Sequence, residues 1–113
     1  MTGADAAGLP VQHRPIVLGV LWAHLPPGSR VWVFGSRATG RARRYSDLDL
    51  AIDAGRPLTL DETAGLAEDF SESDLPYRVD VVDWRAIDER FRRAIADRRT
   101  LLTAVGDTGP AAG

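Results

Sequence analysis

The chain has 113 residues and a net charge of −2, which allows one small domain with a single core and no second lobe and gives no general attraction to nucleic acid or to a membrane surface. Cysteine and lysine are both absent, so disulfides, thiolate metal sites and a lysine nucleophile are excluded. No apolar run approaches the roughly 20 residues that span a bilayer, and the first residues lack the charged and hydrophobic regions of a signal peptide, so a cytoplasmic location is expected. Residues 1–14 are rich in Gly and Ala without periodicity and read as a flexible tail. From Pro15, suited to a first helical turn, the residues Ile16, Val17, Val20, Leu21 and Leu25 recur at helical spacing until Pro26-Pro27-Gly28 stops them. His13 and His24 flank this helix with no second histidine or carboxylate at ligand spacing, and read as surface or packing residues.

Arg30–Phe34, with β-branched and aromatic residues, reads as a buried strand that stops at Gly35-Ser36. Glycine there lets a phosphate approach the backbone, and the Ser36 hydroxyl with the N–H groups that follow can donate to anionic oxygens. The connection from Arg37 to Ser46 holds Arg37, Arg41, Arg43 and Arg44. Two readings stand for these arginines: a solvated loop, or guanidinium groups of which one or two meet triphosphate oxygens or an acidic partner. Ser46 either binds phosphate, helps orient the carboxylates that follow, or is an ordinary turn residue.

A second strand runs through Asp47-Leu48-Asp49-Leu50-Ala51-Ile52. Side chains two apart share a face, so Asp47 and Asp49 stand side by side while Leu48, Leu50 and Ile52 face the other way. Paired carboxylates repel and resist burial unless a cation compensates them. Hard oxygen donors suit Mg²⁺, which is commonly shared with substrate phosphates, so a divalent metal carrying a nucleoside triphosphate is the natural occupant. Asp53 continues this face at the strand's end and reads as solvated.

Thr59-Leu60-Asp61-Glu62 has the form of a capping box opening a helix to about Phe70, with Leu66 and Phe70 on one face. Tyr77–Asp83 reads as a third strand in which Asp80 stands among valines, where a lone carboxylate is costly without a partner. Asp83 falls on the opposite face and suits the N-cap of a final helix. From Arg85, the spacing of Ile87, Phe91, Ala94, Ile95, Leu101 and Leu102 predicts one long amphipathic helix. Residues 106–113 are small or proline and read as a second flexible tail, leaving 15–105 as the folded domain.

Gly35-Ser36, ten residues, then Asp47-x-Asp49 resembles the signature of the DNA polymerase beta-type nucleotidyltransferase superfamily. Within it, the wording GSRATGRARRYSDLDL and the short chain resemble the minimal nucleotidyltransferase group. The resemblance implies a small α/β fold, a mixed β-sheet flanked by helices with the site at one end. It implies that Asp47, Asp49 and Asp80 are catalytic and hold one or two Mg²⁺ ions, Asp80 matching the third carboxylate of the pattern. Gly35, Ser36, Arg37 and Ser46 are then expected around ATP. Members act as antitoxins paired with a helical HEPN-family RNase toxin, transferring AMP from ATP to a toxin tyrosine, so a HEPN-family partner from a neighbouring gene is implied here. The alternatives are an antitoxin that neutralises by binding alone and transfer to a small molecule.

Overall fold

The computed structural model describes residues 9–39, 43 and 45–104. A short 3₁₀ turn, Val11–His13, leads into α1 (Arg14–His24), followed by β1 (Arg30–Phe34), β2 (Leu48–Asp53), α2 (Leu60–Ser71), β3 (Val79–Asp83), α3 (Glu89–Ala96) and β4 (Thr100–Ala104). The four strands form one mixed sheet in the order β3-β2-β1-β4, with only β2 and β3 parallel. A parallel pair cannot be closed by a tight turn and needs a crossover, which α2 supplies. The Thr59 hydroxyl accepts the Glu62 N–H while Glu62 returns to the Thr59 N–H, the reciprocal cap expected from sequence.

One face of the sheet carries the core. Val31 and Val33 of β1, Leu48, Leu50 and Ile52 of β2, and Leu102 of β4 pack against Val17 and Leu21 of α1 and Leu66 and Phe70 of α2. The two helices are tied by His24 Nε2 and Asp69 Oδ2 at 2.6 Å, a structural use of this histidine. The opposite face takes α3, whose Phe91 meets Phe34 of β1 edge-on. Trp32 and Trp84 lie 5.7 Å apart, with the Arg99 guanidinium 4.0 and 4.6 Å from their rings.

Three sequence expectations need correction. The single long helix after Arg85 is instead α3, ending at Ala96, and a fourth strand beginning at Thr100. Without β4, the outer edge of β1 would present unpaired backbone groups; the antiparallel ladder satisfies them, and a register shift there accompanies the burial of Leu102 in the core. The packed chain also starts before residue 15: Leu9 is wholly buried, His13 Nδ1 and the Tyr77 hydroxyl lie 2.8 Å apart, and Arg14 donates to the Leu102 carbonyl. Of the expected tails, 1–14 and 106–113, residues 1–8 and 106–113 lie outside the described residues.

The third correction concerns Asp83. The N-cap of α3 is Asp88, which accepts the Phe91 N–H. The Asp83 carboxylate instead accepts the Leu58 N–H at 2.9 Å and the Arg85 N–H at 3.0 Å, fixing the entry to α2 and the exit from β3. Asp83→Ala orphans both donors and is expected to cost about 1–3 kcal/mol, a fall in Tm of several degrees for a domain of this size. Thermal denaturation measures it, and an unchanged Tm would show these bonds to be dispensable.

Candidate active site

The parallel register of β2 and β3 places Leu48 beside Val79, Asp49 beside Asp80, and Ile52 beside Asp83. Asp49 and Asp80 therefore share the face opposite the main core, and Asp47, one residue before β2, shares their strand parity. Asp83 has the parity of the core-facing residues, which separates it from this row. Burial first, then the charges of Asp80 and Asp47, raise the Asp49 carboxyl above its ordinary value, and the nearby Arg78 offsets this in part. Asp53, at the far end of the strand, pairs with Arg85 at 2.8 Å and accepts the Gly55 N–H, so it belongs to a turn and not to the acidic row.

On the other side of Asp49 lies β1, with Phe34 as its register partner. The turn that follows therefore begins immediately next to the Asp49 carboxylate. Gly35 adopts φ +76°, a conformation that L side chains avoid, and a Cβ at this position would run into the Asp49 carboxylate. Both demands require glycine. The Ala38 and Thr39 N–H groups return to the Gly35 carbonyl at 3.2 and 3.3 Å, closing one helical turn over which Ser36 is half-buried.

Arg37 and Ser46, both expected around ATP, bond to one another. Arg37 is only 5% exposed; its guanidinium donates to the Ser46 carbonyl at 2.8 and 3.2 Å and lies 4.1 Å from the centre of the Tyr77 ring. The Ser46 hydroxyl accepts the Arg43 N–H at 2.7 Å. Together these bonds tie the Gly35-Ser36 turn to the segment that delivers Asp47. Arg43 is exposed, while Arg41 and Arg44 lie outside the described residues.

Sequence reading missed Arg78. It precedes β3, two residues from Asp80 and so on the same face, and its guanidinium lies 3.6 Å from Asp47 and 3.4 Å from Asp80. The period-two rule that pairs Asp47 with Asp49 would have found it. Its side chain is 73% exposed, so solvent weakens both contacts.

Among the described residues no group of three or more His, Cys, Asp or Glu side chains is placed so as to hold a metal ion by itself. Mg²⁺ ordinarily takes one or two carboxylates and completes its shell with waters and substrate phosphates. The donor set of Asp49 with Asp80 and Asp47, carrying mutual repulsion that a single exposed arginine meets in part, fits an ion bound in that open manner.

Comparison with known proteins shows the family and the fold. Residues 28–105 match the family described as Polymerase beta, Nucleotidyltransferase. The chain is 48% identical over 95 residues to a protein of Haemophilus influenzae described as a probable protein adenylyltransferase, MntA, covering 84% of this chain and 82% of that one. A crystal structure of a toxin–antitoxin with AMP-PNP aligns with a TM-score of 0.69 at 25% identity, over 81% of this chain and 73% of the other. A structure described as a minimal nucleotidyltransferase aligns at 34% identity with a TM-score of 0.60, over 80% of this chain and 89% of the other. With the glycine-serine turn beside a row of aspartates on a mixed sheet, the chain belongs to the polymerase beta nucleotidyltransferase family.

Proposed function

We propose that this nucleotidyltransferase is an antitoxin that transfers AMP from ATP, with Mg²⁺, to a tyrosine hydroxyl of a HEPN-family toxin. One observation carries the reading: Asp49 is flanked across three adjacent strands by Phe34, next to Gly35-Ser36, on one side and by Asp80 on the other. The nucleotide and the acceptor can thus approach the same carboxylate from opposite sides. Because β3 is an edge strand, Asp80 is open to a folded partner.

In this reading the Gly35-Ser36 turn binds the β and γ phosphates through its backbone and the Ser36 hydroxyl. Arg37 and Ser46 hold that turn against the start of β2. Mg²⁺ held by Asp47, Asp49 and Asp80 would supply neutralisation of the charge on the entering and leaving oxygens. The tyrosine oxygen bonds to the α-phosphorus, the bond to pyrophosphate breaks, and the hydroxyl proton leaves on the side of Asp80. The relatives support this assignment by their descriptions as an adenylyltransferase and as a toxin–antitoxin with a nucleotide analogue.

The test is incubation of this protein with the product of the adjacent gene, ATP and Mg²⁺, followed by mass spectrometry. The partner is expected to gain one or more adenylyl groups on a tyrosine. Asp47→Ala/Asp49→Ala and Asp80→Asn are each expected to abolish the gain, whereas Asp83→Ala should retain it. A double mutant that neutralises the toxin fully, with no mass added in the wild-type reaction, would replace the enzymatic account with neutralisation by binding.

The acidic row also makes a stability prediction. Asp49 has a higher carboxyl pKa folded than its ordinary value of 3.8, so its ionisation costs stability once the pH rises past that value, and the cost is absent below it. Asp49→Asn is therefore expected to raise the Tm of the metal-free protein at pH 7. The gain should shrink toward zero as the pH falls below the ordinary value. A lower Tm at pH 7 would remove the repulsion argument.

Arg78 competes for the same carboxylates as a cation. Arg78→Ala is expected to tighten Mg²⁺ binding by up to about fivefold, the scale of an exposed ion pair, as read by calorimetric titration of the ion alone. Weaker binding in that variant would show that Arg78 helps to build the metal site.

A further inference from the structure

A cavity of about 330 Å³ opens between the Gly35-Ser36 turn and the face of α3 that carries Phe91 and Ala94, with Phe34 and Arg98, just beyond the end of α3, in its lining. Nothing in the phosphate and metal roles above uses α3. We propose that this cavity receives the purine base and ribose of the nucleotide, with Phe91 as the stacking surface and Arg98 as a donor to the acceptor nitrogens of the base; this rests on the reading of Gly35-Ser36 as the phosphate-binding turn.

Three observations support it. First, the cavity shares Gly35 and Ser36 as a wall, so a triphosphate on that turn has its nucleoside within reach of α3. The apolar cavity along α1, lined by Val11, Leu18 and Trp22, and the one between α2 and β3 do not touch the turn. The neighbouring cavity at Ala38 and Thr39 is lined otherwise by Asp97, Arg98, Arg99 and Thr100 and offers no aromatic surface.

Second, the aromatic residues are arranged for stacking. Phe91 stands edge-on to Phe34 at 6.3 Å and 85° between ring planes, yet remains 41% exposed. Leaving a large apolar ring uncovered has a cost that burial under a base would relieve, and base–aromatic stacking tolerates any base because every base presents a π face. Third, the size is right: ligand cavities begin at roughly 300 Å³, and the rest of the nucleotide would lie outside, along the turn and the acidic row.

Calorimetry of two probes, each with Mg²⁺, tests the assignment: AMP-PNP, and inorganic tripolyphosphate, which lacks the nucleoside. Two variants are compared with the wild type, Phe91→Ala to remove the stacking surface and Ala94→Trp to fill the cavity. Both are expected to weaken AMP-PNP binding by about tenfold or more, the scale of a lost base stack, and to leave tripolyphosphate binding within about twofold, which also reports an intact fold. Unchanged AMP-PNP affinity in both variants would overturn the inference. Equal loss of both probes would overturn it too, since the cavity would then hold phosphates. Wild-type protein that binds neither probe would remove the phosphate-turn reading itself, and the inference with it.

Discussion

The parallel register of β2 against β3 is the constraint on which the rest depends. It aligns Asp49 with Asp80, and carboxylates on neighbouring strands, about 4.8 Å apart in the sheet, oppose one another's ionisation. A fold selected only for stability would avoid this pairing, since like charges directly across strands are unfavourable. Here the register is enforced by the opposite face, where Leu48, Leu50 and Ile52 must stay under α1 and α2. Slipping β2 by one residue would turn those three out and put the aspartates into the core. Hydrophobic burial on one face thus supplies the free energy that keeps charges together on the other.

A second set of contacts converts that row into a site with a defined mouth. Gly35 is tight against Asp49, so turn and carboxylate cannot be varied independently. Arg37 spans from the turn to the Ser46 carbonyl while resting on Tyr77, and Tyr77 in turn meets His13. A buried guanidinium is tolerated because two of its nitrogens donate to the Ser46 carbonyl and its plane lies over an aromatic ring. The connection between β1 and β2 is consequently anchored at both ends.

Legibility in the sequence followed how local each signal was. β1, β2 and α2 were readable because strand alternation, the glycine-serine stop and the capping box are all encoded within a few residues of the element they define. Asp80 was distinguishable from Asp83 by parity alone, and the structure assigns them to opposite faces as that parity requires. The final helix was misread because Ile87, Phe91 and Ile95 are helically spaced, and Leu101 and Leu102 extend the pattern by coincidence. What makes Thr100–Ala104 a strand is the empty edge of β1, some seventy residues earlier in the chain. The direction of the Arg37 side chain was hidden for a related reason: its place beside the Gly35-Ser36 turn says nothing about which way it points, and Tyr77, over whose ring it lies, is distant in sequence. Leu9 had no periodic neighbours to mark it as buried.

The division of the sheet into two unlike faces also explains how so small a domain can support chemistry. The face under α1 and α2 is filled almost entirely by aliphatic side chains, so it can be optimised for packing without reference to catalysis. The other face is only part covered, by α3 and by the aromatic and arginine cluster of Trp32, Trp84 and Arg99. Those contacts lie away from the acidic row and, among the described residues, leave the end near Gly35 and Asp80 uncovered. An uncovered end beside an edge strand exposes backbone and charge that a solitary stable domain would cover, and that exposure suits the nucleotide on one side and the folded acceptor on the other that the proposed function calls for.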